Sequence, residues 1–367
     1  MKEINQKTFE EELINVYKIA IKDNKKFLDT RSLHWENYYK KNSKFSSVEN
    51  LKNFRKNLIL SEGLDDAMNL QNKLNLIEVF DYFNGEYLSR TLPKKNIGNS
   101  NYSIDFLGYH FDYGIMHHLK WYEKIEKFIK PKNKILEIGG GFGSLARIIL
   151  SNNNEIKYFS IDLPEANLMS NYYLQNYFQS KKIFNYLDFK NKSLEENLNK
   201  YDIFILPPNT INNKNIKFDF VINSRSFMEM NKGTINQYFD LIQKKINLGG
   251  HFLNVNKYFK DTVGEKIKLH EYPYDNRWKT IISEQSFLQG EVHFLLAERV
   301  ANEGDILDEL NKISQKKIKH QKEKKINLYI LLKKIFYKFS KNTLIFVLGR
   351  KMLNKIAKIL YGISISK

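Results

Sequence analysis

"KILEIGGGFGSLARIIL", Lys134 to Leu150, is an apolar run that meets four glycines within five positions and then passes into an amphipathic stretch. A strand, a glycine corner and a helix in that order let a backbone approach a ligand closely, because a Cβ at the corner would collide with it. Two cofactor classes are held at such corners. Gly141-Phe142-Gly143-Ser144-Leu145-Ala146 fits the G-x-G-x-x-A of a dinucleotide site, where a pyrophosphate rests on the helix N-terminus. Glu137 to Gly143 fits E-x-G-x-G-x-G instead, and an acidic residue beside the glycines is unwelcome to a pyrophosphate.

S-adenosylmethionine has no phosphate and carries an ammonium and a sulfonium, so Glu137 at the strand end favours it. Nineteen residues after Gly143, "YFSIDLPEAN" places Asp162 at the end of a second strand, where a carboxylate can accept both ribose hydroxyl hydrogens. Asp162 suits either cofactor. Glu137 discriminates, and the predicted donor site is Glu137, Gly139, Gly140, Gly141, Gly143, Asp162 and Leu163.

Outward from the corner, short apolar runs alternate with helical ones, the signature of a mostly parallel sheet with helices on both faces. Strands are expected at Lys134–Ile138, Lys157–Asp162, Asp202–Leu206, Phe218–Asn223 and His251–Asn256. Thr280–Phe287 and Val292–Val300, separated by Leu288-Gln289-Gly290-Glu291, read as a closing antiparallel hairpin. Parallel strands closed by such a hairpin give the α/β Rossmann-like sheet of class I methyltransferases. Three regions follow: a helical one over 1–104, serving as acceptor cap or dimerisation element, the sheet domain over 105–302, and a basic helical tail over 303–367. In the first, Phe9, Leu13, Val16, Tyr17 and Ala20 share a helical face, as do Leu74, Ile77, Val79, Phe80 and Phe83. Lys94 to Ser103 is polar and reads as a connection.

The chain has 367 residues and no cysteine, so disulfides and thiolate metal sites are excluded. Its polar, acidic N-terminus is unlike a secretory signal, and no apolar stretch approaches the roughly 20 residues of a membrane span. A cytoplasmic protein is expected. The net charge of +18 is concentrated: residues 312–367 carry +15 and the rest only +3.

The sequence resembles a bacterial family of sugar O-methyltransferases over roughly residues 30–300. The resemblance rests on "LEIGGGFGSLARI", "SIDLPEA", "DIFILPPNTI", "FDFVINSRSFMEMN" and "NLGGHFLNVNKY", with a looser match at "LKNFRKNLILSEGLD". It implies a class I enzyme that methylates a sugar hydroxyl with S-adenosylmethionine in surface-glycan biosynthesis. The acceptor would be a sugar, a nucleotide-sugar or a glycan. A non-sugar small molecule or lipid as acceptor, or a non-catalytic cofactor-binding module at the membrane, stays open as an alternative.

A sugar hydroxyl is a poor nucleophile at neutral pH, so a base must take its proton as the methyl transfers. Such a base should project from the carboxyl ends of the strands. Glu229, just beyond the strand Phe218–Asn223, is the first candidate. Against it, Ser226-Phe227-Met228-Glu229 is also S-x-x-E, a helix capping box. His270 is the second candidate, and the polar segment after it offers Asp275, Asn276 and Arg277 for sugar hydroxyls or a phosphate and Trp278 for stacking. His251 starts its strand at the wrong end for catalysis, and His110, His117 and His118 read as packing or surface residues. No metal-ligand spacing is evident. In the tail, Leu328, Leu332 and Phe336 lie on one helical stripe bordered by lysines, a pattern suited to an anionic inner-membrane surface. The aromatic residues lie inside that stripe, not on the basic face, which argues against specific nucleic-acid binding. Homo-oligomerisation is left open.

Overall fold

Ile135, Leu136 and Ile138 alternate between the two faces of an extended segment whose sides are both covered, so the run is apolar throughout. It forms the central strand of the computed structural model. The structure describes residues 8–23, 47–56, 82–100, 104–106, 108–111, 113–261, 264–287 and 289–315. In chain order the elements are α1 (Phe9–Asp23), α2 (Val48–Lys52), α3 (Gly85–Thr91), the hairpin β1 (Ile104–Phe106) and β2 (Tyr109–Phe111), and α4 (Tyr113–Ile125). Next come β3 (Lys134–Ile138), α5 (Ser144–Asn152), β4 (Lys157–Ile161), α6 (Pro164–Tyr177), β5 (Ile183–Phe184), α7 (Tyr186–Asn191), β6 (Ile203–Leu206) and β7 (Phe218–Ser224). The chain continues through α8 (Lys232–Lys245), β8 (Ile246–Lys257), β9 (Phe259–Lys260), β10 (Ile267–Lys268), β11 (Trp278–Gln285), β12 (Val292–Arg299) and α9 (Ile306–Gln315).

Eight strands form one sheet in the order β11-β12-β8-β7-β3-β4-β6-β5. Strands β3 to β8 pair in parallel, whereas β12 is antiparallel to both β8 and β11. The chain leaves β3 toward β4 and β6, then crosses back to β7 on the other side of β3. This reversal opens a crevice at the carboxyl ends of β3 and β7, the place where open α/β sheets bind ligands. The expected fold is the one observed.

Helices α4, α5 and α6 pack on one face with Leu13, Leu51, Phe54 and Tyr87 from the N-terminal region. Helices α8 and α9 pack on the other with Ile235, Phe239, Ile242, Ile306 and Leu310. Residues Pro164 to Leu174 of α6 are buried on every side, because α1 lies across the helix and covers the face the sheet leaves open. Of the two N-terminal apolar stripes, the first forms α1. The second falls outside the described residues except for the buried Phe83. Among the described residues no helix is long and apolar enough to cross a membrane. The lysine-bordered stripe of the tail also lies outside them.

The largest departure from an expected strand boundary is at β8. Strand β8 begins at Ile246, five residues before His251, with Gly249 and Gly250 inside it. Its register against β7 jumps from Phe218↔Ile246 to Phe220↔His251, so the extra residues form a bulge that Gly249 accommodates at φ 76°.

Candidate functional site

The corner after β3 is built by backbone geometry that its glycines permit. Gly139 has φ 75°, and a Cβ there would drive into the Ser226 side chain from the turn after β7. Gly141 has φ 57°, yet a Cβ on it would meet nothing within 4 Å. The loop is therefore packed tightly against the protein at one end and open at the other. Gly143 caps α5 in the left-handed conformation.

Asp162 closes the corner from β4. Its Oδ2 accepts the Gly141 N–H at 2.8 Å and its Oδ1 accepts the Leu163 N–H at 2.7 Å. The carboxylate thus fixes the open end of the glycine loop while each oxygen keeps acceptor capacity for a ligand. Burial raises the pKa of Asp162, its two N–H bonds oppose that, and the charges of Glu229 and Glu165 add to it.

Glu137 is the last but one residue of β3. Its side chain lies beneath the loop, 1% exposed, with Oε2 accepting the Tyr158 hydroxyl at 2.8 Å. A Cβ on Gly140 would come within 2.7 Å of that same oxygen. Glu137 is therefore enclosed under the corner, against Gly140.

The turn after β7 forms the facing wall. Ser226 does not cap the short 3₁₀ turn Phe227–Glu229 with its side chain, so the capping box does not form and Glu229 is released from that duty. Glu229 is partly exposed, 3.7 Å from the Lys260 ammonium, and close enough to Asp162 for its charge to be felt there. Tyr238 of α8 also senses Asp162, and burial pushes its hydroxyl pKa well up. Glu137, Asp162 and Glu229 together bring three carboxyl groups to the crevice, with Lys260 beside the last of them.

The position of this turn is set by a buried amide network. Asn223 at the end of β7 donates to the Ile138 carbonyl at 2.9 Å, and its Oδ1 accepts the Phe227 N–H at 3.1 Å and the Asn256 amide at 2.9 Å. Asn256 accepts the Met228 N–H at 3.1 Å and donates to Asn254, whose own amide donates to the Tyr274 hydroxyl at 3.0 Å. One set of side chains therefore joins the glycine corner to the turn that carries Glu229. From α4, His118 Nδ1 lies 3.0 Å from the Ser144 hydroxyl at the start of α5. The three asparagines, in runs otherwise apolar, were the unused sequence signal for this network.

His270 lies on the turn Leu269–Glu271, anchored at the same end of the sheet by the Leu269 N–H to the Tyr258 carbonyl at 3.2 Å. The residues after it require a correction. The chain from Tyr272 runs down the α8 face, and Trp278 pairs with Arg299 at the start of β11, the end of the sheet opposite the glycine corner. Trp278 is 0% exposed, packed among Phe252 and Tyr274, with its indole N–H donating to Gln243 at 3.3 Å. Asp275 makes a two-pronged ion pair with Arg299 and accepts the Arg277 N–H, and Asn276 donates to Glu303. Asp275, Asn276, Arg277 and Trp278 therefore secure the lower edge of the sheet and do not reach the crevice. Among the described residues no cluster of three or more His, Asp or Glu is arranged to hold a metal ion.

No family model matches the chain, and no curated protein matches it. Similar solved structures include the pyocyanin biosynthetic protein PhzM, at 9% identity over 51% of this chain and 58% of that protein, with TM-score 0.32. The mitomycin 7-O-methyltransferase MmcR matches at 13% identity over 46% and 49% with TM-score 0.33. TehB from Haemophilus influenzae matches at 16% identity over 49% and 61% with TM-score 0.32. The chain thus spans between 49% and 61% of the length of these proteins.

Proposed function

We propose that the crevice binds S-adenosylmethionine and that the protein is a methyltransferase for a hydroxyl of a sugar, nucleotide-sugar or glycan. The observation that carries this reading is the sign of the charge around the glycine corner. Glu137 beneath the loop, Asp162 at its open end and Glu229 across from it would, when ionised, repel a pyrophosphate and favour a ligand bearing an ammonium and a sulfonium. The open space at Gly141 is the cradle, and the Asp162 carboxylate is the acceptor for ribose hydroxyls.

When bound, S-adenosylmethionine supplies an electrophilic methyl group on a positively charged sulfur. The chain contributes position and a proton acceptor. The asparagine network holds the turn Arg225–Glu229 opposite the corner. Glu229 takes the acceptor hydroxyl proton, and its partial exposure lets the proton pass on to water. His270, at the same end of the sheet, is the alternative acceptor. The sugar assignment rests on the sequence resemblance, and a site in the cytoplasm at the inner membrane face would suit lipid-linked glycan precursors.

Isothermal titration with S-adenosylhomocysteine and, separately, NAD tests the reading. We expect the former alone to bind, and Asp162→Ala to weaken it by about 10–100-fold through loss of hydrogen bonds to a charged group. Binding of NAD alone overturns the proposal. Transfer of labelled methyl to a panel of sugars and nucleotide-sugars then identifies the acceptor, with Glu229→Gln lowering turnover about 100-fold and donor affinity far less.

A further inference from the structure

Four non-glycine residues among those described adopt positive φ: Asn99, Lys132, Asn209 and Arg225. Asparagine tolerates this conformation, and Lys132 lies in the exposed turn before β3. Arg225, at φ 63°, is half-buried and stands next to the serine that packs on Gly139. Glycine would adopt its backbone without strain.

The surroundings enforce that strain. The Arg225 N–H donates to the Val255 carbonyl at 2.7 Å. On one side Asn223 is tied to Ile138, and on the other Phe227 and Met228 are tied to Asn223 and Asn256. A long cation is thus held at a position where glycine would be conformationally cheaper, a pattern found where a side chain is used. Its guanidinium makes no hydrogen bond or ion pair among the described residues, although acidic groups line the nearby crevice. Its charge reaches His117 of α4, a fully enclosed imidazole kept neutral first by burial and further by Arg225 itself. The adjacent His118 contacts Ser144 at the mouth of the corner.

We propose that Arg225 is the receptor for an oxyanion, a phosphate or carboxylate, carried by the acceptor, so that the substrate is an anionic sugar and not a neutral one. The planar fork of the guanidinium suits either group by two parallel hydrogen bonds. Its place beside the glycine corner and on the same turn as Glu229 puts the anion of the acceptor next to the reacting groups. The proposal deepens the function given above and rests on it for the identity of the donor.

The test uses the full chain, with and without saturating S-adenosylhomocysteine, titrated with sodium pyrophosphate and with sodium glucuronate. Wild type should bind one of the two, and which one separates a nucleotide-sugar acceptor from a uronate. Arg225→Gly should weaken that binding at least tenfold while its Tm stays equal or rises, because the strained backbone is relieved, and while the affinity for S-adenosylhomocysteine holds. Arg225→Lys should recover only part of the anion binding. The proposal is overturned if wild type binds neither anion, if Arg225→Gly binds both as wild type does, or if the glycine variant melts lower and weakens both ligands alike, which marks a structural residue. Failure of wild type to bind S-adenosylhomocysteine overturns the methyl-donor reading alone, because the anion titrations without it still decide the role of Arg225.

Discussion

Glu137 is a carboxyl group under a loop, and its chemistry follows from that enclosure. Burial raises its pKa from the ordinary 4.5 to about 7, against the hydrogen bond from Tyr158 and with a further push from Asp162. A group protonated more readily in the folded chain makes stability fall as pH rises from its unfolded value to its folded one, since the folded state then holds the extra proton. Between those pH values the loss amounts to about 3 kcal/mol. Glu137→Gln keeps a partner for Tyr158 and removes the charge. We expect the variant to match wild type at pH 5 and to melt higher at pH 8, and parallel melting at both pH values would show that the buried charge is not a burden. The same residue bears on the proposed donor binding. A sulfonium-bearing ligand favours the ionised carboxylates, so affinity for S-adenosylmethionine should rise severalfold from pH 6 to pH 8, with a flatter profile in Glu137→Gln as the check.

The turn between β7 and α8 is the element on which the site depends, because it carries Arg225, Ser226 and Glu229 and touches the glycine corner directly. Asn223 is its anchor. Replacing it with leucine leaves the Ile138 carbonyl and the Phe227 N–H without partners in a buried place, which costs about 3 kcal/mol. Urea unfolding of Asn223→Leu should show that loss together with weaker S-adenosylhomocysteine binding. Asn254→Leu, which frees only Tyr274 and Asn256, should lose less stability and keep the ligand.

Elements of this kind were unevenly legible in the sequence. Strands β3, β4, β6 and β7 lie within about a residue of where apolar runs place them, because a strand covered on both faces must be apolar along its length. The two-residue strand β5 has too short a run to stand out. The position of Trp278 was lost for another reason. Periodicity says which residues are apolar but not which end of the sheet a segment reaches, and the polar spacing of "YPYDNRW" conceals a descent along the α8 face with Tyr272, Tyr274 and Trp278 turned inward. The φ of Arg225 leaves no trace in residue type at all, since nothing local distinguishes a strained arginine from an ordinary one.

At the scale of the whole molecule, most of the net charge lies in sequence beyond the described residues. Residues 312–367 hold +15 of the +18, whereas α9 closes the described fold by burying Ile306, Leu310 and Ile313 against the β11 side of the sheet. A chain ended after Gln315 keeps every buried residue described here. It should melt within about 3 °C of the full chain, a change corresponding to less than about 1 kcal/mol, and bind S-adenosylhomocysteine equally. If the lysines serve an anionic membrane surface, the full chain should co-sediment with phosphatidylglycerol-containing vesicles in about 0.1 M salt and be released near 0.5 M, where screening shortens the reach of each charge. The shortened chain should remain in solution at both. Vesicle binding that survives the truncation would place the membrane contact on the body, whose net charge of +3 would then have to be unevenly spread. Binding lost only when Leu328, Leu332 and Phe336 are replaced by serine would show that insertion of the apolar stripe, and not charge alone, holds the chain at the surface.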